Sequence, residues 1–334
     1  MGHPAIENQT PFAFEVLFLV DEEFRPLVVP VMKGTFEIRD ARCHLAEKQL
    51  PVNVSGEHWG EDPETSSYRY EPEVAFFKPA TDVVLVGQAY APGGRATEMD
   101  VTLVVGPLRK ALKVFGEREW FAVAGGAAMS RPVPFATMPL VYERAFGGWD
   151  KRHPDLAHHA CELRNPAGVG FSRSYVDGLR LPNVEDPRAL IRGPGDRPPP
   201  AGVGFVSPHW QPRAALAGTY DADWQAHRAP LLATDFDRRH LNAASPGLVA
   251  PGYLRGGERV VAEGVSPDGL LAFMLPVVSP PGIKIVRKDE PDIDLTTNLD
   301  TVILEPDEGR VQLLWRAHAA LRTGPHDLRA VAIS

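Results

Sequence analysis

Two groups of side chains have the types and spacing to do chemistry. His153, His158, His159 and Cys161 lie close together in the chain, and imidazole and thiolate both ligate zinc. A structural zinc usually takes several cysteines, however, and only one is nearby, so the alternative is a polar loop whose histidines have no shared role. Asp235, Asp237 and His240 would make an acid–base group if folded together. A helix cap followed by a cation at the helix C-terminus accounts for the same residues more simply. The chain contains no Gly-x-Ser-x-Gly elbow, no phosphate-cradling loop ending in Gly-Lys-Ser/Thr and no His-Glu-x-x-His, the signatures of common catalytic classes. Gly168-Val169-Gly170 lacks the third glycine and the preceding strand of a dinucleotide fingerprint. The expectation is a protein with no catalytic residues, no metal site and no organic cofactor.

Binding residues are easier to propose than catalytic ones. Arg144, Phe146, Trp149, Arg164, Asn165, Trp210 and Arg213 fall in motifs within a stretch, Arg144 to Glu258, that has almost no regular periodicity. Arg and Trp are the types most enriched where interface energy concentrates. The alternative is that the aromatics are core and the arginines satisfy loop carbonyls. Long irregular segments inside a compact chain are usually functional or disordered. Trp149, Phe171, Phe205, Trp210, Trp224 and Phe236 make this one too apolar for a solvated linker. Within it, Pro166-Ala167-Gly168-Val169-Gly170-Phe171 recurs as Pro200-Ala201-Gly202-Val203-Gly204-Phe205. Two equivalent loops facing one ligand, or two similar turns pinning a long loop, would each explain the repeat, and the structural explanation is favoured because Gly most often solves a backbone problem.

The elements that must position these residues read as β-structure on either side. Phe12, Phe14, Val16, Phe18 and Val20 alternate, as do Val101, Leu103 and Val105, which is the period of a strand with one face buried. Asp82 to Tyr90 reads as a strand with Gly87 as a bulge, and Lys110 to Phe115 with Glu119 to Ala124 as a hairpin around Gly116-Glu117. Further on, Ser266-Pro267-Asp268-Gly269 and Pro306-Asp307-Glu308-Gly309 each separate two apolar runs with hairpin turn chemistry, and Leu328 to Ile333 reads as a last strand. Helix is expected only at Asp221 to Arg228 and Asp235 to Asn242. The fold class is therefore mainly β: packed antiparallel sheets, sandwich or barrel-like, with a long irregular central segment and one or two short helices. The expected division is an N-terminal β region over 1–143, the central segment over 144–258 and a C-terminal β region over 259–334, integrated as one domain over 10–334.

Composition narrows the partners. Of 334 residues 44% are hydrophobic and 23% charged, enough for a packed core and ordinary for a soluble chain. Proline, at 33 residues, is far above usual usage and argues for many turns and edges. A formal charge of -8 with no basic cluster disfavours nucleic acid, whose affinity rests on Lys and Arg. Cys43 and Cys161 stand apart, a usage that suits a reducing compartment. No signal peptide and no apolar run of membrane-spanning length is visible, so the expectation is a cytoplasmic protein without a membrane partner.

The motifs also resemble a known family. Ser66-Ser67-Tyr68-Arg69-Tyr70-Glu71, Phe77-Lys78-Pro79-Ala80-Thr81-Asp82, Ala91-Pro92-Gly93-Gly94 and Glu143-Arg144-Ala145-Phe146-Gly147-Gly148 carry the likeness. So do Arg164-Asn165-Pro166, Leu181-Pro182-Asn183, Trp210-Gln211-Pro212-Arg213 and Asn242-Ala243-Ala244. Together they resemble the bacterial domain-of-unknown-function family 2169, encoded beside spike and PAAR-repeat proteins of type VI secretion systems. The likeness covers most of the chain up to about Leu275 and is least clear from Lys284 onward. It implies an adaptor or chaperone that binds a toxin effector and loads it onto a spike or PAAR-repeat protein. It carries over no catalytic residues. An enzyme acting on a small molecule is the alternative, and a structural spike component a third. Convergent carboxylates and histidines in a cleft would favour the enzyme; a large groove lined by apolar and Arg side chains, without convergent acids and bases, would favour the adaptor.

Overall fold

The alternation of Phe12 to Val20 becomes the strand Ala13–Val20, paired antiparallel with the strand Pro26–Arg39. Val28, Val29, Val31 and Met32 of the latter are fully buried. Both faces of that strand are covered, which is why its sequence reads as a continuous apolar run. The computed structural model describes residues 4–174, 177–279 and 282–334. It is mainly β.

The largest sheet has the strand order Ala13–Val20, Pro26–Arg39, Arg310–Arg316, Asn298–Glu305, Asp82–Leu85, with Arg42–Leu45 and Ala319–Ala320 also paired to Pro26–Arg39. All its pairings are antiparallel except that of Asn298–Glu305 with Asp82–Leu85. A second sheet runs Val184–Glu185, Leu108–Phe115, Glu98–Val105, Arg259–Glu263, Leu270–Met274, antiparallel throughout. A third joins Ala5–Asn8, Leu328–Ile333, Gly282–Arg287 and Ile293–Thr296. Both turns with Asp and Gly close hairpins as their chemistry demands: Gly269 and Gly309 have φ of 81° and 58°, a region a Cβ disfavours.

One apolar cluster draws on all three sheets through Val28, Leu313, Val101, Leu112, Ile283 and Val331. The irregular segment supplies Val203, Phe205, Ala243 and Leu248 to the same cluster. It is therefore part of the core and not a covering laid over it.

Several local readings change. Leu108–Phe115 pairs with Glu98–Val105 and Val184–Glu185, while Trp120–Val123 turns back on Gly126–Met129. The expected hairpin around Gly116-Glu117 does not form, because the buried sets Val101, Leu103, Val105 and Leu108, Leu112, Val114 match across a tighter turn. At Gly116 the chain instead passes Val133 so closely that a Cβ would sit 1.7 Å from its carbonyl oxygen. Leu328–Ile333 closes the third sheet between Ala5–Asn8 and Gly282–Arg287, strands not anticipated from the sequence. The helix at Ala222–His227 forms with Asp221 capping Trp224 N. The second expected helix is a 3₁₀ turn, Arg238–Leu241, capped by Asp237. Among the described residues no helix is long and apolar enough to cross a membrane.

Candidate partner-binding cleft

The irregular segment folds around one short 3₁₀ turn, Tyr142–Arg144. Tyr142 is 3% exposed; its hydroxyl hydrogen-bonds Ser245 Oγ at 2.7 Å, and its ring meets Trp210 edge-on with centroids 5.5 Å apart. Burial pushes the Tyr142 phenol up to about 12, so it stays protonated. Asn165, fully buried, donates from Nδ2 to the carbonyls of Tyr142 at 2.7 Å and Phe146 at 3.1 Å. One side chain thus serves the Phe146 carbonyl and adds a second donor to the Tyr142 carbonyl, which also accepts from Ala145 N at 3.0 Å.

Both copies of the repeated hexapeptide pack against this turn. A Cβ on Gly168 would lie 2.4 Å from Asn165 Nδ2 and 2.7 Å from Ala145 O, and one on Gly202 would lie 2.7 Å from Tyr142 Cζ. Phe171 sets its ring edge-on against Phe146, and Phe205 enters the main core. The first glycine of each copy is therefore a close-packing device.

Where the second copy begins, Pro200 joins a cleft of about 310 Å³ lined also by Tyr142, Arg164, Pro199, Val206, Gln211, Pro212 and Pro246. That volume is at the lower end for small-ligand pockets and suits one or two side chains. Arg164 stands over it, holding Glu162 in a fork, Nε to Oε1 and Nη2 to Oε2, both at 2.7 Å. Burial raises the Glu162 carboxyl, and the Arg164 hydrogen bonds outweigh that and leave it below the ordinary value.

The seven residues proposed from sequence are spread over different environments. Phe146, Asn165 and Trp210 are 2%, 0% and 1% exposed and pack inside the fold. Arg213, also buried, donates to the carbonyls of His240 at 2.7 Å and Val206 at 2.6 Å and pairs with Glu71. Arg144 joins Asn183 Oδ1 at 3.0 Å and Glu117. Only Arg164 lines the cleft. Trp149 is on the surface, 48% exposed with Lys151 Nζ 4.9 Å from its ring centre. Tyr142, Pro199, Pro200, Val206, Gln211, Pro212 and Pro246, which line the cleft with Arg164, lie outside the seven. The run Pro198-Pro199-Pro200 and the motif Trp210-Gln211-Pro212-Arg213 are the local signals that point toward the cleft.

The chemical clusters resolve into local roles. His153 and His158 stack with ring centroids 4.1 Å apart, and His159 Nε2 meets the His153 carbonyl at 2.9 Å. Burial, with a smaller push from Glu162, raises the Cys161 thiol to about 11, a protonated form that binds metal poorly. Among the described residues no group of three or more His, Cys, Asp or Glu could hold a metal ion. Asp235 accepts from Thr219 N and Oγ1 at 2.8 and 2.7 Å, Asp237 from Arg239 N at 2.9 Å, and His240 Nδ1 meets Arg213 O at 3.0 Å. Asp237 caps its own turn, while Asp235 and His240 tie theirs to Thr219 and Arg213 earlier in the segment. A smaller polar cleft of about 120 Å³ is bordered by Lys78, Asp300, Arg316 and His318. Its charges pair internally, Lys78 with Asp82 at 2.7 Å and Arg316 with Asp300 at 2.6 Å.

The family described as an uncharacterized protein conserved in bacteria (DUF2169) matches residues 23–316. No curated protein and no solved structure matches the chain.

Proposed function

This chain belongs to the DUF2169 family over most of its length, and from that premise we propose that it is a type VI secretion adaptor, a cytoplasmic chaperone that binds a toxin effector and hands it to a spike or PAAR-repeat protein. The observation that supports the reading is the proline-walled cleft at the start of the second repeat copy, with Arg164 at its edge and, among the described residues, no carboxylate–histidine pair lining it. The exposed prolines Pro199, Pro212 and Pro246 offer area to bury over a floor of buried Tyr142 and Val206, which suits holding a side chain. Around the cleft, Asn165, Gly168 and Gly202 fix the backbone, so a bound segment would lose its own entropy while the receptor loses little.

A second reading, an enzyme acting on a small molecule, draws on the polar cleft at Lys78, Asp300, Arg316 and His318. Burial lowers the His318 pKa, which keeps that imidazole neutral and able to accept a proton. The internal pairing of the neighbouring charges favours a structural role for them and places this reading second.

Deleting the gene in a producing strain tests the first reading. The expected result is loss of one effector from the culture medium while sheath assembly and the other effectors continue. Secretion of every effector at the parental level, with nothing retained on the tagged protein, would overturn it.

A further inference from the structure

We infer that the occupant of the cleft is an extended protein segment that lays one aromatic side chain on the prolines and brings an adjacent carboxylate to Arg164; the inference rests on the adaptor reading above. Four of the lining residues are Pro199, Pro200, Pro212 and Pro246. Proline has no backbone N–H to donate, and the Pro246 carbonyl already accepts from Lys110 Nζ at 2.7 Å. The walls therefore reward apolar area. Compact, rigid pyrrolidine rings pack against the face of an aromatic ring, as Pro-rich ligands and aromatic grooves do with the roles exchanged. A phenyl or indole group also gives the largest burial for the fewest rotors.

Polarity enters at one edge. A guanidinium carries donors on all three nitrogens, and Arg164 commits Nε and Nη2 to Glu162 and, at 3.4 Å, to Arg197 O. Among the described residues its Nη1 has no hydrogen-bond partner, nor has the side-chain amide of Gln211, which lines the same cleft. The Arg164 side chain is 33% exposed, so this edge is reachable. Nearby carboxylates are already held, Glu162 by Arg164 and Asp186 by Arg188, while Lys110 adds a cation beside Pro246. In a chain of formal charge -8 the cleft is thus locally set to accept a carboxylate, and it would repel a lysine on the incoming segment.

The test is titration calorimetry of the full chain with blocked synthetic hexapeptides of Gly and Ser around a central Trp-Asp, Trp-Lys or Ala-Asp pair. The expected result is that Trp-Asp binds about tenfold more tightly than Ala-Asp and about fivefold more tightly than Trp-Lys. Arg164→Glu and Gln211→Glu should each reverse the preference between Asp and Lys. Gln211→Glu leaves the Glu162 fork intact, so it keeps the test decisive if Arg164→Glu lowers the melting temperature. Equal binding of Trp-Asp and Trp-Lys by the parent protein would overturn the carboxylate assignment while leaving the cleft as a binding site. Ala-Asp binding as tightly as Trp-Asp would overturn the aromatic assignment. Peptides that bind as inferred, in a strain whose deletion leaves every effector secreted, would reject the adaptor reading alone.

Discussion

The sheets and the irregular segment order their backbones by different means. In the sheets, ladders such as Pro26–Arg39 with Arg310–Arg316 satisfy N–H and C=O groups in bulk, and side chains are left to pack. Between 144 and 258 few ladders exist, and buried polar side chains finish the backbone one group at a time. Asn165 serves Tyr142 and Phe146, Asn183 Nδ2 serves Phe115 O at 3.1 Å, and Arg118 serves Pro182 O at 2.8 Å. Glu185 accepts from Ile191 N at 2.8 Å, and Asp82, on the large sheet, accepts from Ala243 N at 2.9 Å. A segment held this way can curve into a cleft, which a ladder cannot do. It is also vulnerable to single changes, because each polar side chain has no neighbour that repeats its work.

The sharpest contrast lies between the two tryptophans that look alike in sequence. Trp210→Ala removes a buried ring from the Tyr142 cluster and should cost about 3–5 kcal/mol. Trp149→Ala, on the surface, should stay within about 0.5 kcal/mol unless a partner is bound. Denaturant unfolding of both variants measures this directly; equal losses would mean that the segment is not packed as described.

Asn165→Ala should cost about 1–3 kcal/mol by leaving the Phe146 carbonyl without its side-chain donor and the Tyr142 carbonyl with Ala145 N alone. Asn165→Asp should cost at least as much, because a carboxylate cannot donate. Unfolding midpoints that match the parent would break the claim that single side chains hold this region.

Glycines of the repeat sharpen the picture further. Gly202→Ala drives a Cβ to 2.7 Å from the Tyr142 ring, whereas Gly204→Ala meets nothing within 4 Å. The first should lose about 1–3 kcal/mol, the second less than about 0.5 kcal/mol. Thermal melts of the pair would show whether the copies act as packing devices.

Acid should separate the two regions last and most gently. Hydrogen bonds from Arg188 and Arg239 hold Asp186 and Asp237 below ordinary carboxylate values, and backbone N–H groups of Arg192 and Gly193 do so for Asp196. Their stabilisation is present above the unfolded pKa and is lost as pH falls through the lowered folded values. Burial raises Glu71 and Glu185, so those two become less costly on protonation and oppose the trend. Asp327 and Glu305, outside the segment, are held low as well, so acid weakens both regions; pepsin cutting below about pH 4 should still begin within 144–258, where few ladders hold the backbone, and simultaneous loss of both regions would contradict the distinction.

What was legible in the sequence follows the same division. The hairpins at Gly269 and Gly309 could be read because a turn is a local matter of φ and side-chain size. Pairing of Leu108–Phe115 could not, since its register depends on which buried faces meet. Trp149 and Trp210 carry equal propensity, and only tertiary packing separates them. The cleft was the least legible part: Tyr142, Pro200, Val206 and Pro246 come from distant stretches, and nothing local to any of them signals convergence. Proline excess pointed to irregular structure but not to its use as a wall.

The account stands or falls on whether the cleft is where the effector sits. A photo-crosslinking amino acid placed at Gln211 in a producing strain tests it, with Leu270, 55% exposed on an edge strand of the second sheet, as the control position. The account predicts an effector adduct from position 211 and none from position 270. An adduct from position 270 with none from position 211 would contradict it.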